Sequence, residues 1–245
     1  MKPAIAPNWS TEREPTLDVY LLGLLEFEAS LALQEWVQHE LASSETRNGT
    51  LLICEHPPLL TVGREGSREH ILCEPRDLIS REIDVRWLNR GGGCILHAPG
   101  QLAIYPCLPV QRLRMGLSDY SRRLEAAVIG ACQEQQVPAW QRPDAAGVWC
   151  RGGQVAQIGA AVRSGISQHG MFVNVSPRLD TQRWVRTPTG DRVTSIAAQT
   201  MRPLEMPKIR ESLIRHLAQQ LNYHRYHLYT GHPGLKRTRR AVAYA

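Results

Sequence analysis

The apolar positions of this chain change their period several times, and each change marks an element. Leu17-Asp18-Val19-Tyr20-Leu21 alternates as a half-buried strand does. From Leu24 to Leu41 the spacing turns helical. Leu24, Phe27, Leu31, Glu35 and Trp36 fall near that spacing, and Ala, Leu and Gln favour a helix. Asn48-Gly49 breaks this segment, and Leu51 to Cys54 forms a short buried strand that ends at His56-Pro57-Pro58. Leu59 to Val62 is a further extended piece before Gly63-Arg64. After Gly66 the chain stays polar until the strand Val85-Arg86-Trp87-Leu88. Ile95-Leu96 and Leu102 to Tyr105 then predict a hairpin about the turn Pro99-Gly100-Gln101.

The second half repeats the mixture. Ser118 to Gln136 reads as an amphipathic helix, with Ser118 as N-cap and Leu124, Val128 and Cys132 on one face. Ala146 to Trp149 and Gln154 to Val162 are two strands joined at Arg151-Gly152-Gly153, and Ile166 to Val175 brings another turn and strand. Ser176 to Arg192 is polar and reads as a loop, followed by Val193 to Ile196. A last helix runs from Lys208 to Leu221, with Ile209, Leu213, Leu217 and Leu221 four residues apart. Strands outnumber helices without alternating strictly with them. This predicts an α+β fold, a mixed β-sheet flanked by helices, not a doubly wound sheet. The expected organisation is a loose arm over 1–16, a folded unit over 17–225 and a basic tail over 226–245.

Composition narrows the class. The 245 residues, 42% hydrophobic and 21% charged, suit an ordinary globular protein of one large or two small domains. No apolar run is long enough to span a bilayer, and the first residues carry no secretory h-region. Six cysteines lie scattered without a CxxC pair, which points to reduced thiols in a cytoplasm and to no metal site. The net charge of +6 gathers partly in Lys236, Arg237, Arg239 and Arg240. Without interleaved aromatics this run argues for a solvated tail and against nucleic-acid binding.

Candidate chemistry concentrates between Asn89 and Pro106, which read NRGGGCILHAPGQLAIYP. Three glycines in a row lose much backbone freedom on folding, and such a run suits a close approach of backbone to a ligand. Arg90 beside them offers a planar fork for a carboxylate, phosphate or carbonyl. A plain glycine-rich hairpin with an exposed arginine is the alternative, as is a turn histidine bonded to backbone for His97. No GxxxxGK[ST] phosphate loop is present.

Arg90-Gly91-Gly92, His97, Pro99-Gly100-Gln101 and Tyr105-Pro106 resemble the RGG…HGPGQ…YP signature of the octanoyltransferases of lipoate biosynthesis. Glu55-His56-Pro57-Pro58 with Thr61-Val62-Gly63-Arg64 is similar to that family's EHPP…T.GR segment. Gly147-Val148-Trp149, Ile158-Gly159, His169-Gly170, Asn174-Val175 and Val193-Thr194-Ser195 follow in the family's order. The triple glycine also looks like the RRxGGG…H signature of the related ATP-dependent lipoate ligases. The resemblance implies the biotin/lipoate protein ligase catalytic-domain fold. It also implies octanoyl transfer from acyl carrier protein to a lysine of a lipoyl domain, with no cofactor. An acidic carrier protein or lipoyl domain would suit a basic surface. Residues matched to the family's acyl-binding positions are Arg90, Gly91, Gly92, Gly93, Cys94, Ile95, Leu96, His97, Gln157, Ile158, Gly159, Gly170, Met171 and Phe172.

The family's reaction uses a cysteine thiolate whose pKa is lowered by a lysine. Here the lysine's place holds Gln154, and the cysteine's place falls near Thr187 and Pro188, in Arg186-Thr187-Pro188-Thr189-Gly190. Cys150 and Cys94 are the candidates for a displaced nucleophile, with buried packing roles as the alternative. Two functions follow as expectations: an octanoyltransferase-like enzyme, or an inactive relative that binds an acyl or lipoyl group or a carrier domain.

Overall fold

The computed structural model describes residues 14–235. In chain order the elements are β1 (Thr16–Leu24), α1 (Phe27–Ala42), β2 (Gly49–Glu55), β3 (Leu59–Val62), α2 (Pro75–Ser80), β4 (Asp84–Trp87), β5 (Cys94–His97) and β6 (Gln101–Cys107). There follow α3 (Leu117–Glu134), β7 (Ala139–Trp140), β8 (Gly147–Cys150), β9 (Gly153–Arg163), β10 (Ile166–Asn174), α4 (Met206–Gln220) and β11 (Arg225–Thr230). The larger sheet has the order β11-β1-β2-β6-β10-β9-β8-β7, and a small sheet has the order β4-β3-β5. β1 runs parallel to β11 and β2, and the other neighbours in the large sheet are antiparallel. This is the expected mixed sheet with flanking helices.

Period-2 alternation sorts the central strands between two cores. Leu51, Ile53, Leu102, Ile104, Met171 and Val173 pack with Leu124 and Val128 of α3 and Leu213 and Leu217 of α4. Their neighbours Leu52, Cys54, Ala103, Tyr105 and Phe172 pack with Leu33, Val37 and Leu41 of α1. Because both faces are covered, β2 and β6 read in sequence as unbroken apolar runs. A third core, with Leu60, Val62, Cys94 and Leu96, lies under the small sheet.

Several expectations are corrected. Leu24 ends β1 and is 63% exposed, so the helix starts at Phe27. Its buried stripe also differs: Ser30, Gln34 and Gln38 face inward beside Leu33, Val37 and Leu41, while Glu35 and Trp36 face solvent. Those polar residues are buried because each has a partner. Ser30 Oγ donates to Phe27 O at 2.7 Å, Gln34 Oε1 accepts from His169 N at 2.9 Å, and Gln38 Nε2 donates to Arg163 O at 3.0 Å. The predicted hairpin about Pro99-Gly100-Gln101 is absent: β5 pairs with β3, and β6 pairs with β2 and β10 in the other sheet. The turn is a crossover between sheets, anchored by Gly100 N on Glu55 Oε2 at 2.7 Å.

Helix α3 begins after Gly116, and Ser118 makes no capping bond. Val193 joins β9 only as a bridge to Gln154. Strand β11 carries the folded unit to Thr230, past the point where a tail was expected. The basic run from Lys236 and the arm over 1–13 lie outside the described residues. Among the described residues no helix is long and apolar enough to cross a membrane, and no group of three or more His, Cys, Asp or Glu is placed to hold a metal ion.

Candidate functional site

The glycine-rich stretch is the turn from β4 into β5, and Arg90 determines its shape. The side chain is fully buried. Nη1 donates to Gly91 O at 2.9 Å, and Nη2 donates to Thr61 Oγ1, Gly93 O and Thr61 O at 2.8, 3.1 and 3.2 Å. The fork expected to meet a ligand is therefore committed to its own loop and to β3. Burial lowers its pKa to about 10, so it keeps its charge at neutral pH. The loop is pressed between two further glycines. A Cβ at Gly63 would lie 2.4 Å from Gly92 O, and one at Gly159 would lie 2.7 Å from Gly91 O. Gly92 itself holds φ +74°, the left-handed region that glycine adopts without strain.

His97 extends this knot. Its Nδ1 lies 2.9 Å from Gln101 Oε1, an acceptor, so Nδ1 carries the proton and Nε2 accepts from Thr61 Oγ1 at 2.8 Å. Gln101 Nε2 then donates to Asn174 Oδ1 at 2.9 Å. Burial, with His56 and Arg90 nearby, holds the imidazole neutral, well below its ordinary pKa. Phe172 packs edge-on against His97, with ring centroids 4.7 Å apart. His97 is thus satisfied by side chains, where backbone was one expectation.

The open chemistry lies on the other side of the loop, in a cavity of about 160 Å³. Gly92, Gly93 and Ile95 form one wall, Gln154, Gln157 and Ile158 of β9 a second, and Pro188 with Thr189 a third. Glu65 and Asp144 complete the lining. The loop after β10 reaches this wall because Gly93 leaves room for Pro188: a Cβ there would lie 2.7 Å from the proline ring. Gln154 is 4% exposed, and its Oε1 has no hydrogen-bond partner. Gln157 Nε2 donates to Cys94 O at 3.5 Å. Gly92 N is bound to Glu65 Oε1 at 2.9 Å, so that amide is not open to an oxyanion.

Of the two threonines around Pro188, only Thr189 reaches the cavity. Thr187 is buried, and its hydroxyl donates to Asp191 O at 3.1 Å. The Asp191 carboxylate is held below the ordinary carboxylate range by the Thr189 hydroxyl, and also by Trp149 Nε1 at 2.9 Å and Arg142 Nη1 at 2.7 Å. A carboxylate so stabilised is a weak proton acceptor for a hydroxyl.

Neither candidate cysteine lines the cavity. Cys150 packs into the α3/α4 core, donates to Gly153 O at 3.5 Å and has its thiol pKa raised by burial. This placement weighs against its reading as a nucleophile, since a desolvated thiol resists ionisation. Cys94 turns into the small-sheet core, with Sγ 3.7 Å from Ser67 O and a pKa raised by burial despite Arg90. Lys208 is the lysine among the described residues, and it pairs with Glu205 at the start of α4.

The remaining matched positions divide by strand alternation. Leu96 faces the small-sheet core and, with His97, lines a separate, mainly apolar cavity of about 380 Å³ bordered by Arg81 and Arg178. Met171 packs into the α3/α4 core beside Ile158. Gly170 allows β10 to pass β6, where a Cβ would lie 2.3 Å from Ile104 O. Sequence reasoning gave no cavity role to Glu65 or Asp144. Glu65 lay in plain view after Gly63-Arg64, but nothing in a sequence reports that its carboxylate binds the amide of Gly92.

Residues 26–218 match the family described as the lipoyl protein ligase A/B catalytic domain. The chain is 39% identical to an octanoyltransferase of Geobacter metallireducens over 195 residues, covering 78% of this chain and 87% of the relative. It is 32% identical to an octanoyltransferase of Syntrophotalea carbinolica over 209 residues, covering 84% and 94%. In fold it is similar to a lipoate-protein ligase A bound with ATP, with a TM-score of 0.72 and 16% identity over 94% of both chains. A bipartite lipoate protein ligase of Thermoplasma acidophilum gives a TM-score of 0.70 at 17% identity over 92% of both chains.

Proposed function

The chain belongs to the octanoyltransferase family, built on the lipoyl protein ligase A/B catalytic domain, and we propose that it moves an octanoyl group from an acyl carrier protein to a lysine of a lipoyl domain. The observation that carries this reading is the extent of the likeness. It runs from α1 through most of α4 and takes in the glycine loop, β9 and the Thr189 loop that together enclose the cavity. The relatives carry the transferase name and lend nothing to a binding-only role.

The reaction replaces a thioester with an amide, which is favourable in itself. The protein's task is to align the two groups and to keep water out. Ile95 and Ile158 supply apolar surface for the acyl group. Arg90, Gly91 and Gly159 frame the loop from behind. The six cysteines are all free thiols, which suits a cytoplasmic setting.

The test is to incubate the protein with octanoyl-carrier protein and an unmodified lipoyl domain, and to weigh the lipoyl domain by intact mass spectrometry. A gain of one octanoyl group, absent when the acceptor lysine is replaced by arginine, is the expected result. A lipoyl domain of unchanged mass at enzyme concentrations near those of the substrates would sink the reading.

A further inference from the structure

Strand β5 separates two cavities, because successive residues of a strand face opposite ways. Ile95 lines the cavity beside the glycine loop, and Leu96 turns to the small-sheet core with Leu60, Val62 and Ile83. Beyond Leu96 lies the second cavity, of about 380 Å³, walled by Pro58, Ile83, Leu96, Ala98 and Pro99. Its volume is at the lower end of small-molecule sites, and its wall suits a short apolar body.

The charged groups on that wall do not cancel. Arg81 and Arg178 bring two guanidiniums, and Asp180 brings one carboxylate. Arg178 Nη2 donates to Asp180 Oδ2 at 3.3 Å, a long contact between exposed groups for which water competes. Arg81 forms no ion pair among the described residues, and its guanidinium carbon lies 4.9 Å from the centroid of the Trp184 ring. His97 uses both ring nitrogens on Gln101 and Thr61. The balance is one positive charge on a mainly apolar wall, which selects an anion. The cavity beside the glycine loop has the opposite sign, since its ionisable side chains are Glu65 and Asp144. A neutral acyl ester is indifferent to that lining, whereas a free acid is repelled by it.

We infer that the cavity beyond Leu96 is a separate binding site for a medium-chain carboxylate, with the hydrocarbon tail against Ile83 and Leu96 and the head group at Arg81 and Arg178. A carboxylate carries the single charge that the wall balances, and a guanidinium can grip both of its oxygens. A phosphate monoester would bring about two charges. Both arginines are exposed, so the head stays at the mouth, partly in water, while the tail enters.

Titration calorimetry of the whole protein with sodium octanoate near neutral pH tests the site. One saturable event with a Kd below about 1 mM is expected. Hexanoate should bind more weakly, by about fourfold for each methylene removed. Octanol and octylamine, which keep the tail and change the head, should bind at least about tenfold more weakly than octanoate. Two variants locate the event. Arg81→Gln with Arg178→Gln removes the charge from two exposed positions, and Ala98→Phe fills the cavity from a half-buried position and keeps both arginines. Each should weaken octanoate at least about tenfold, with a circular dichroism spectrum like that of the natural protein. Octanol binding as tightly as octanoate would overturn the assignment of the head group. Either folded variant binding octanoate as the natural protein does would move the ligand elsewhere and overturn the site, as would the absence of saturable binding. None of these results bears on octanoyl transfer, which is read on the lipoyl domain.

Discussion

Around Arg90, donors and acceptors close on one another, whereas at Gln154, on the cavity wall with Gly92 and Gly93, an acceptor has no partner. The guanidinium serves Thr61, Gly91 and Gly93, Thr61 serves His97, and His97 serves Gln101. In that knot Arg90 Nε is the guanidinium nitrogen without a partner. The cavity beyond the same glycines has Gln154 Oε1 unpaired and two carboxylates in its lining. A closed network sets geometry, and an open one is available for binding. The guanidinium at the centre of the sequence motif is therefore spent on architecture, and the glutamine on β9 carries a buried acceptor without a protein partner.

The largest expected effect separates these roles directly. Arg90→Met removes the hub of the knot and takes the guanidinium donor from Thr61 Oγ1 and Gly91 O, while Gly93 O keeps Gly63 N at 3.1 Å. The loss should be about 3 kcal/mol or more, read as a fall in the urea midpoint. Arg90→Lys should rescue little, because one ammonium cannot reproduce the planar fork. Gln154→Leu removes an acceptor that has no protein partner, so stability should stay level or rise by up to about 1 kcal/mol. Equal destabilisation by Arg90→Met and Gln154→Leu would erase the distinction.

The contrast extends to pH. The knot contains histidines kept neutral by burial, whereas Gln154 on the cavity wall has no titratable group. His56 donates from Nδ1 to Leu25 O at 2.6 Å and accepts from Tyr105 Oη at 2.6 Å, and burial lowers its pKa to about 4. Unfolded histidine titrates near about 6.5, so between these values the unfolded chain binds the extra proton. Stability is complete above about pH 6.5 and falls by about 1.4 kcal/mol per pH unit for this residue as the pH drops towards 4. His97 adds to the fall in the same direction. Urea midpoints at pH 7 and pH 5 should therefore differ clearly, and equal midpoints would show that the histidines are not held neutral.

How much of this was legible in the sequence depends on the range of the interaction concerned. Strands β2, β3, β6, β9 and β10 could be read because their apolar runs and flanking turn residues are local signals. The hairpin after His97 was misread because turn chemistry at Pro99-Gly100-Gln101 reports a change of direction and not which sheet each arm joins. The inward stripe of α1 was missed because Ser30, Gln34 and Gln38 are buried through bonds to distant segments, which hydrophobic spacing cannot register. At the site, Gln154 could be named from its place before Val155-Ala156-Gln157-Ile158-Gly159. That Thr189 and not Thr187 faces it depends on the fit of Pro188 against Gly93.

A substitution at the loop's contact with β9 should have a middle-sized effect. Gly159→Ala would put a methyl 2.7 Å from Gly91 O and 3.0 Å from Arg90 Nη1, both held by the knot. The cost should be about 1–3 kcal/mol, with the urea midpoint lowered accordingly. If the midpoint does not move, the loop is looser than the Arg90 network implies.

The smallest effect is expected at Cys150, and it bears on the comparison because this thiol lies close in sequence to Gln154 yet belongs to neither region. Its sulfur packs into the α3/α4 core and donates to Gly153 O at 3.5 Å. Serine keeps that donor while replacing a soft apolar atom by a smaller polar one, so Cys150→Ser should cost about 1 kcal/mol at most. Because no part of the cavity lining comes from Cys150, the rate of octanoyl transfer should match that of the natural protein once the folded fraction is equal. Loss of transfer in a folded Cys150→Ser protein would place the nucleophile on this sulfur.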